Sequence, residues 1–221
     1  MIPAPSQRIF RCAAILFDLD GVLVDSTRSV ARQWAMWAAE HNIPVEEAVR
    51  VAHGRRTVET IRLLAPHLDA ETETLRLEAR EADDTDGVGR IKGVLEMLSS
   101  LPAQRWAVVT SGTRYLATRR LATNGLPMPG VFVTADEVSH GKPHPEPYLM
   151  GAELLRFPSR ECLVFEDAPA GIEAAHAAGM AAVALSTTYS AADLAHADAV
   201  VRDFSTVRAR VNEAGLEIVL G

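Results

Sequence analysis

Lysine is nearly missing from this 221-residue chain: Lys92 and Lys142 alone occur, and 29 acidic residues outnumber 22 lysines and arginines for a formal net charge of −7. Nucleic acid and anionic membrane surfaces require a basic face, so this balance argues against both as partners. An anionic ligand would need positive charge concentrated locally. Cysteine is as scarce, with Cys12 and Cys162 each inside an apolar run. Such a pair reads as buried reduced thiols rather than a disulfide framework, which points to the cytoplasm. No apolar run approaches the roughly 20 residues of a membrane span. The stretch CAAILF meets Asp18 too soon to be a secretory h-region. Residues 1–11, with two prolines, are expected to form a loose leader. Repeats and low-complexity tracts are absent as well.

What is present is a 48% hydrophobic composition and a recurring pattern. Strand-like apolar runs fall at Ala13–Leu19, Arg105–Thr110, Val131–Thr134, Cys162–Phe165, Ala181–Leu185 and Ala199–Val201, with helix-like segments between most of them. Near-continuous apolar strands alternating with helices predict a parallel sheet covered on both faces, a doubly wound, Rossmann-like α/β fold. Ligands in that architecture sit beyond the carboxyl ends of the strands, where Asp18, Thr110 and Asp167 lie. Between Ser26 and about Val88 the pattern is only helical: Val30, Trp34, Trp37 and Ala38, then Val58, Ile61, Leu64 and Ala65, then Leu75 and Leu77. The expected organisation is a core of residues 12–24 and 89–221, with a small helical cap of residues 25–88 inserted in it. A cap over the active edge can exclude water and select substrates, and Trp34 and Trp37 read as its core.

Four stretches at strand ends carry chemistry. In ILFDLDG, Asp18 and Asp20 would share a face if the strand ran on through them, and two like charges so close need a cation, a shared proton or divided roles. In WAVVTSGTRY, a Thr110–Ser111 hydroxyl pair and Gly112 precede a helix, a natural anion cradle. In HGKPHPEPY, prolines stiffen the backbone that presents Lys142. A P-loop is ruled out, because Asp136 stands where its first glycine belongs and Pro143 follows the lysine. In ECLVFEDAPAG, a buried strand runs into Glu166 and Asp167, a second carboxylate pair that would complete an oxygen cage for a hard divalent ion, Mg²⁺.

Taken in order, FDLDGVLVDS, TSG, Lys142–Pro143 and FEDAPAG resemble the four motifs of the haloacid dehalogenase superfamily, from Phe17 to about Ala199. The stretches HGRRT, WAVVTSGTR, GKPHPEPY and EDAPAG are similar to the sugar- and polyol-phosphate phosphatases of its small-cap subclass, which act on hexitol, deoxyglucose or glycerol phosphates. The resemblance implies Asp18 as nucleophile and Asp20 as general acid and base. It implies Mg²⁺ on the Asp18 carboxylate, the Asp20 backbone carbonyl and Asp167, with Glu166 direct or through water. Phosphoryl oxygens would be held by Ser111 or Thr110, the Gly112 amide and Lys142. On the cap, HGRRTVE offers Arg55 or Arg56 to the substrate. The implied partner is a small phosphorylated sugar or polyol, bound by a monomer or dimer. Sister chemistries are weighed by residue type. Dehalogenases lack the second aspartate, and phosphonatases use a cap lysine that the interval Ser26–Val88 does not contain. A hexose-phosphate mutase is the alternative, and a catalytically silent sensor of phosphometabolites a remoter one.

Overall fold

The computed structural model describes residues 8–213 and 215–221. At its centre lies strand β2 (Ala14–Phe17), preceded by β1 (Arg8–Cys12). A two-stranded ribbon of β3 (Val24–Asp25) and β4 (Gly89–Arg90) brackets helices α1 (Thr27–Glu40), α2 (Val45–Ala52), α3 (Thr57–Leu64) and α4 (Ala70–Asp83). There follow α5 (Val94–Ser99), β5 (Trp106–Val109), α6 (Arg114–Thr123), β6 (Val131–Val133), α7 (Glu146–Leu155), β7 (Cys162–Glu166), α8 (Pro169–Ala177), β8 (Ala181–Leu185) and β9 (Ala199–Val201). The chain closes with β10 (Val207–Asn212) and β11 (Gly215–Leu220).

Strands β6, β5, β2, β7, β8 and β9 form one sheet in that order, every pairing parallel. Alternation along each strand divides its side chains between two layers. Ile15 and Phe17 face a cluster with Val94, Met97, Leu121 and Phe204, whereas Ala14 and Leu16 face one with Tyr148, Ala152 and Ile172. Small residues on the second face, including Ala107, Ala182 and Ala184, let α7 and α8 approach closely. Gly151 of α7 shows how closely: a Cβ there would lie 2.6 Å from Leu16 Cδ2 and 2.9 Å from Val109 Cγ2.

The four inserted helices have a core of their own around Trp34, Trp37, Ala48, Ile61 and Leu77. Trp37 is wholly buried and donates its indole N–H to Glu73 at 3.0 Å. Leu75 departs from the expected apolar face and is 70% exposed, since two positions along α4 turn it away from Leu77.

Two further departures concern the termini. Arg8–Arg11, expected in a loose leader, belong to β1, which pairs antiparallel with β11 from Arg8↔Leu220 to Cys12↔Leu216. Residues 1–7 of that leader lie outside the described residues. Strands β10 and β11 themselves carried no clear sequence signal, yet their residues Val207, Leu216 and Ile218 close the core beneath Phe204. Burial of this face, supplied from both ends of the chain, outweighs the weak local strand pattern of each segment.

Candidate active site

The strand β2 ends at Phe17, one residue before the aspartates, although Asp18 N–H still extends the ladder by donating to Phe165 O at 3.0 Å. Asp18 and Asp20 therefore reach one cavity through a turn rather than through strand alternation. Within it Leu23 and Val24 N–H groups donate to Leu19 O, and Gly21 takes φ +79°. Glycine is required here twice over: the backbone is left-handed, and a Cβ would fall 1.9 Å from Asp167 Oδ2. The turn thus brings Asp18 against the second carboxylate pair.

Lys142 lies at the centre, 1% exposed. Its ammonium donates to Asp18 Oδ1 at 2.5 Å, Glu166 Oε1 at 2.7 Å and Val109 O at 3.0 Å, which accounts for all three donors. Glu166 is equally saturated: Oε1 also accepts from Tyr148 Oη at 2.7 Å, and Oε2 accepts from the N–H groups of Asp167 and Ala168 at 2.9 and 3.2 Å. Its lone pairs are turned to the protein, so it anchors Lys142 and the strand end.

Carboxylate oxygens of Asp18, Glu166 and Asp167 gather within 4.8 Å of one another. Three buried carboxyls against one ammonium leave an excess of negative charge. Burial, with Glu166 and Asp20 nearby, pushes Asp18 up to about 7 against the pull of Lys142. Burial and the Glu166 and Asp18 charges drive Asp167 well above the carboxylate range, with Thr188 bonding it in opposition. For Lys142, burial disfavours the ammonium, but Asp18 and Glu166 outweigh it and hold its proton beyond the ordinary lysine value. An all-oxygen donor set with uncompensated charge fits a hard divalent cation.

Asp20 stands apart from this cluster. Its Oδ1 accepts from Ser26 Oγ at 2.7 Å, and its Oδ2 pairs with Arg120 Nη1. Asp18 and Asp20 line one cavity with Thr110, Ser111, Gly112, Asp167 and, from the inserted segment, Trp34 of α1 and His53 and Arg55 of the α2–α3 connection. Thr110 Oγ1 accepts the Gly112 N–H at 3.2 Å, while Ser111 Oγ donates to Gly54 O at 3.2 Å, so both hydroxyls remain at the cavity. Arg56 is drawn elsewhere: its guanidinium donates to Ser139 O at 3.0 Å and to Glu59 Oε1 at 3.3 Å, away from the cavity.

Residues 12–179 match the family model described as haloacid dehalogenase-like hydrolase. The chain belongs to the haloacid dehalogenase-like hydrolases. It is 40% identical to hexitol phosphatase A of Escherichia coli, over 89% of this chain and 94% of that protein. It is 35% identical to glycerol-1-phosphate phosphohydrolase 2 of Saccharomyces cerevisiae, over 88% and 84% of the two chains. Among solved structures, a hydrolase from Pseudomonas syringae superposes with a TM-score of 0.76 at 28% identity, covering 86% of this chain and 93% of its own.

Several residues in and behind this hydrolase's cavity carry no role in the sequence pattern. His53 precedes the paired arginines, and burial lowers its pKa, favouring the neutral imidazole. Ser26 bonds Asp20, Tyr148 bonds Glu166, and Arg120 joins Asp20 to Glu81. A signal for Arg120 existed: it lies four residues after Leu116 and three after Ala117, on the buried stripe of α6, where a cation needs partners.

Proposed function

We propose that this protein is a Mg²⁺-dependent phosphatase that hydrolyses small sugar or polyol phosphates through an aspartyl-phosphate on Asp18. The observation that carries the reading is that Asp18 is paired with buried Lys142 and gathered with Asp167, while Asp18, Asp20 and Asp167 open into one cavity. The relatives' activities on hexitol and glycerol phosphates supply the substrate class.

In the first step an Asp18 carboxylate oxygen attacks phosphorus while the bond to the sugar oxygen breaks. Asp20 delivers its proton to that oxygen, so an alcohol leaves rather than an alkoxide. In the second step Asp20, now a carboxylate, takes a proton from water, whose oxygen attacks phosphorus and frees Asp18 and inorganic phosphate. With substrate bound, Lys142 exchanges Val109 O and the Gly112 amide exchanges Thr110 Oγ1 for phosphoryl oxygens, to which the Thr110 or Ser111 hydroxyl also donates as charge shifts between them. Asp18, the Asp20 carbonyl and Asp167 would hold Mg²⁺, and Glu166 would reach the ion through water only by giving up one of its present donors; the ion would supply charge neutralisation at the phosphoryl group. Arg55 is the cap cation that reaches the substrate. Residues 25–88 act as the cap, and the buried, free cysteines suit a cytoplasmic enzyme.

The test is phosphate release from hexose, hexitol, pentose and triose phosphates with Mg²⁺. Release is expected from at least one, to be abolished by chelation, restored by Mg²⁺ and lost in Asp18→Asn. Full turnover in that variant would refute the nucleophile. With β-glucose 1-phosphate, conversion to glucose 6-phosphate instead of free phosphate would identify the mutase alternative.

A further inference from the structure

Arg120 is a buried cation that the reaction described above leaves without a role. Its side chain is 5% exposed, and a guanidinium stays charged at any physiological pH, so its surroundings must compensate it. The compensation comes from two directions. Nη1 pairs with Asp20 Oδ2, and Nη2 donates to Glu81 Oε2 at 2.7 Å. Glu81 stands in the last turn of α4, whereas Asp20 belongs to the turn after β2.

One helical turn earlier on α4, Glu78 accepts from Thr113 N–H at 3.2 Å and from Thr113 Oγ1, at the start of α6, and from Thr57 Oγ1 at 2.8 Å. Two carboxylates on one face of α4 therefore seat that helix on α6: one at its N-cap residue, one at Arg120. Asp20 is gripped at both oxygens, by Ser26 at one and by Arg120 at the other. A planar guanidinium fixes the carboxylates it pairs with in direction as well as in distance.

Resting on the phosphatase reading, we infer that Arg120, held by Glu81 of the cap helix, is a positioning residue that aims the Asp20 carboxyl at the leaving-group oxygen only while the cap is seated. With Glu81 withdrawn, Arg120 loses its anchor and Asp20 its fixed orientation. Protonation of the leaving group is then tied to closure over a bound substrate.

A plain latch between cap and core would affect every substrate alike, and this separates the two roles. A polyol or sugar alkoxide needs a proton to leave; p-nitrophenolate does not. The value of kcat/KM reports steps up to phosphoryl transfer to Asp18, before hydrolysis of the aspartyl-phosphate. For Arg120→Met and Glu81→Gln, kcat/KM on the best polyol or sugar phosphate is expected to fall about 100-fold. On p-nitrophenyl phosphate it should fall no more than a few-fold. Asp20→Asn, the benchmark, should divide the two substrates in the same sense. Equal losses on both substrates, or no loss on either, would overturn the inference. Should Arg120→Met not fold, Glu81→Gln, which removes only charge, decides by the same ratio. A wild-type chain that releases no phosphate from any sugar or polyol phosphate refutes the phosphatase reading and this inference with it; an active wild type with undivided losses refutes this inference alone.

Discussion

Lys142 joins the stability of the fold to the proposed chemistry in one side chain. It neutralises two buried carboxylates and fills its third donor with a backbone carbonyl. Lys142→Ala strands Asp18 and Glu166 without their cation, and removal of one partner of a buried ion pair costs about 3–5 kcal/mol. The expected result is a lower melting temperature together with a fall in kcat of about 100-fold or more, measured on the best substrate with saturating Mg²⁺. Arg55→Ala should behave differently. Its exposed guanidinium borders the cavity and among the described residues forms no ion pair, so KM rises while kcat and melting temperature hold. The two arginines of HGRRT are adjacent and alike in sequence. Only the acceptors offered by Ser139 and Glu59 separate Arg56 from Arg55, and those come from the folded surroundings.

At the scale of elements, the sheet's carboxyl edge is built by strands whose limits were close to legible. Continuous apolar runs bounded by polar residues mark buried parallel strands, and β2, β5, β7, β8 and β9 follow that rule. Helix α7 depends on a subtler match, the absence of a side chain at Gly151 facing Leu16 and Val109. Gly151→Ala forces α7 away from β2 and β5, for an expected loss of about 1–3 kcal/mol in chemical denaturation. Since Tyr148 on the same helix bonds Glu166, kcat should decline as well. A variant as stable as wild type would show that the helix shifts without penalty. The strands β1, β10 and β11 were not legible in this way. Charged residues enter all three, Arg8 and Arg11 in β1, Arg208 and Arg210 in β10 and Glu217 in β11, and the partner of Arg8 is Leu220 at the opposite end of the chain.

For the whole molecule, charge placement sets a pH window. Asp84 at the end of α4 is held at about 2, chiefly by hydrogen bonds from Arg32 against some burial, with Gln33 assisting. A carboxyl lowered by folding stabilises above its unfolded pKa of about 4, and that contribution disappears as pH falls towards 2. Asp18 has the opposite sign. Raised to about 7, it favours the folded state below its unfolded value and loses that contribution as pH climbs through 7. Metal-free protein should therefore be most stable in mildly acid solution, with a melting temperature that declines towards pH 8 or so. Because a cation binds the deprotonated carboxylates, the rise in melting temperature on adding Mg²⁺ should be larger near pH 8 than near pH 6. Thermal melts with and without the ion measure both trends, and a Mg²⁺ effect independent of pH would contradict them. Among the described residues no helix is long and apolar enough to cross a membrane.

The class of fold and the class of chemistry were determined by the sequence itself, because both rest on local order: apolar runs of strand length, most of them ending on a carboxylate or a hydroxyl. Tertiary structure alone decided which of those groups meet. It brought Asp18, Glu166 and Asp167 together around one ammonium while turning Asp20 aside to Ser26 and Arg120. It joined the two chain ends in one small sheet and set Glu81 against Arg120, 39 residues away. Contacts of that kind depend on burial shared between distant segments, and no pattern within either segment encodes its partner.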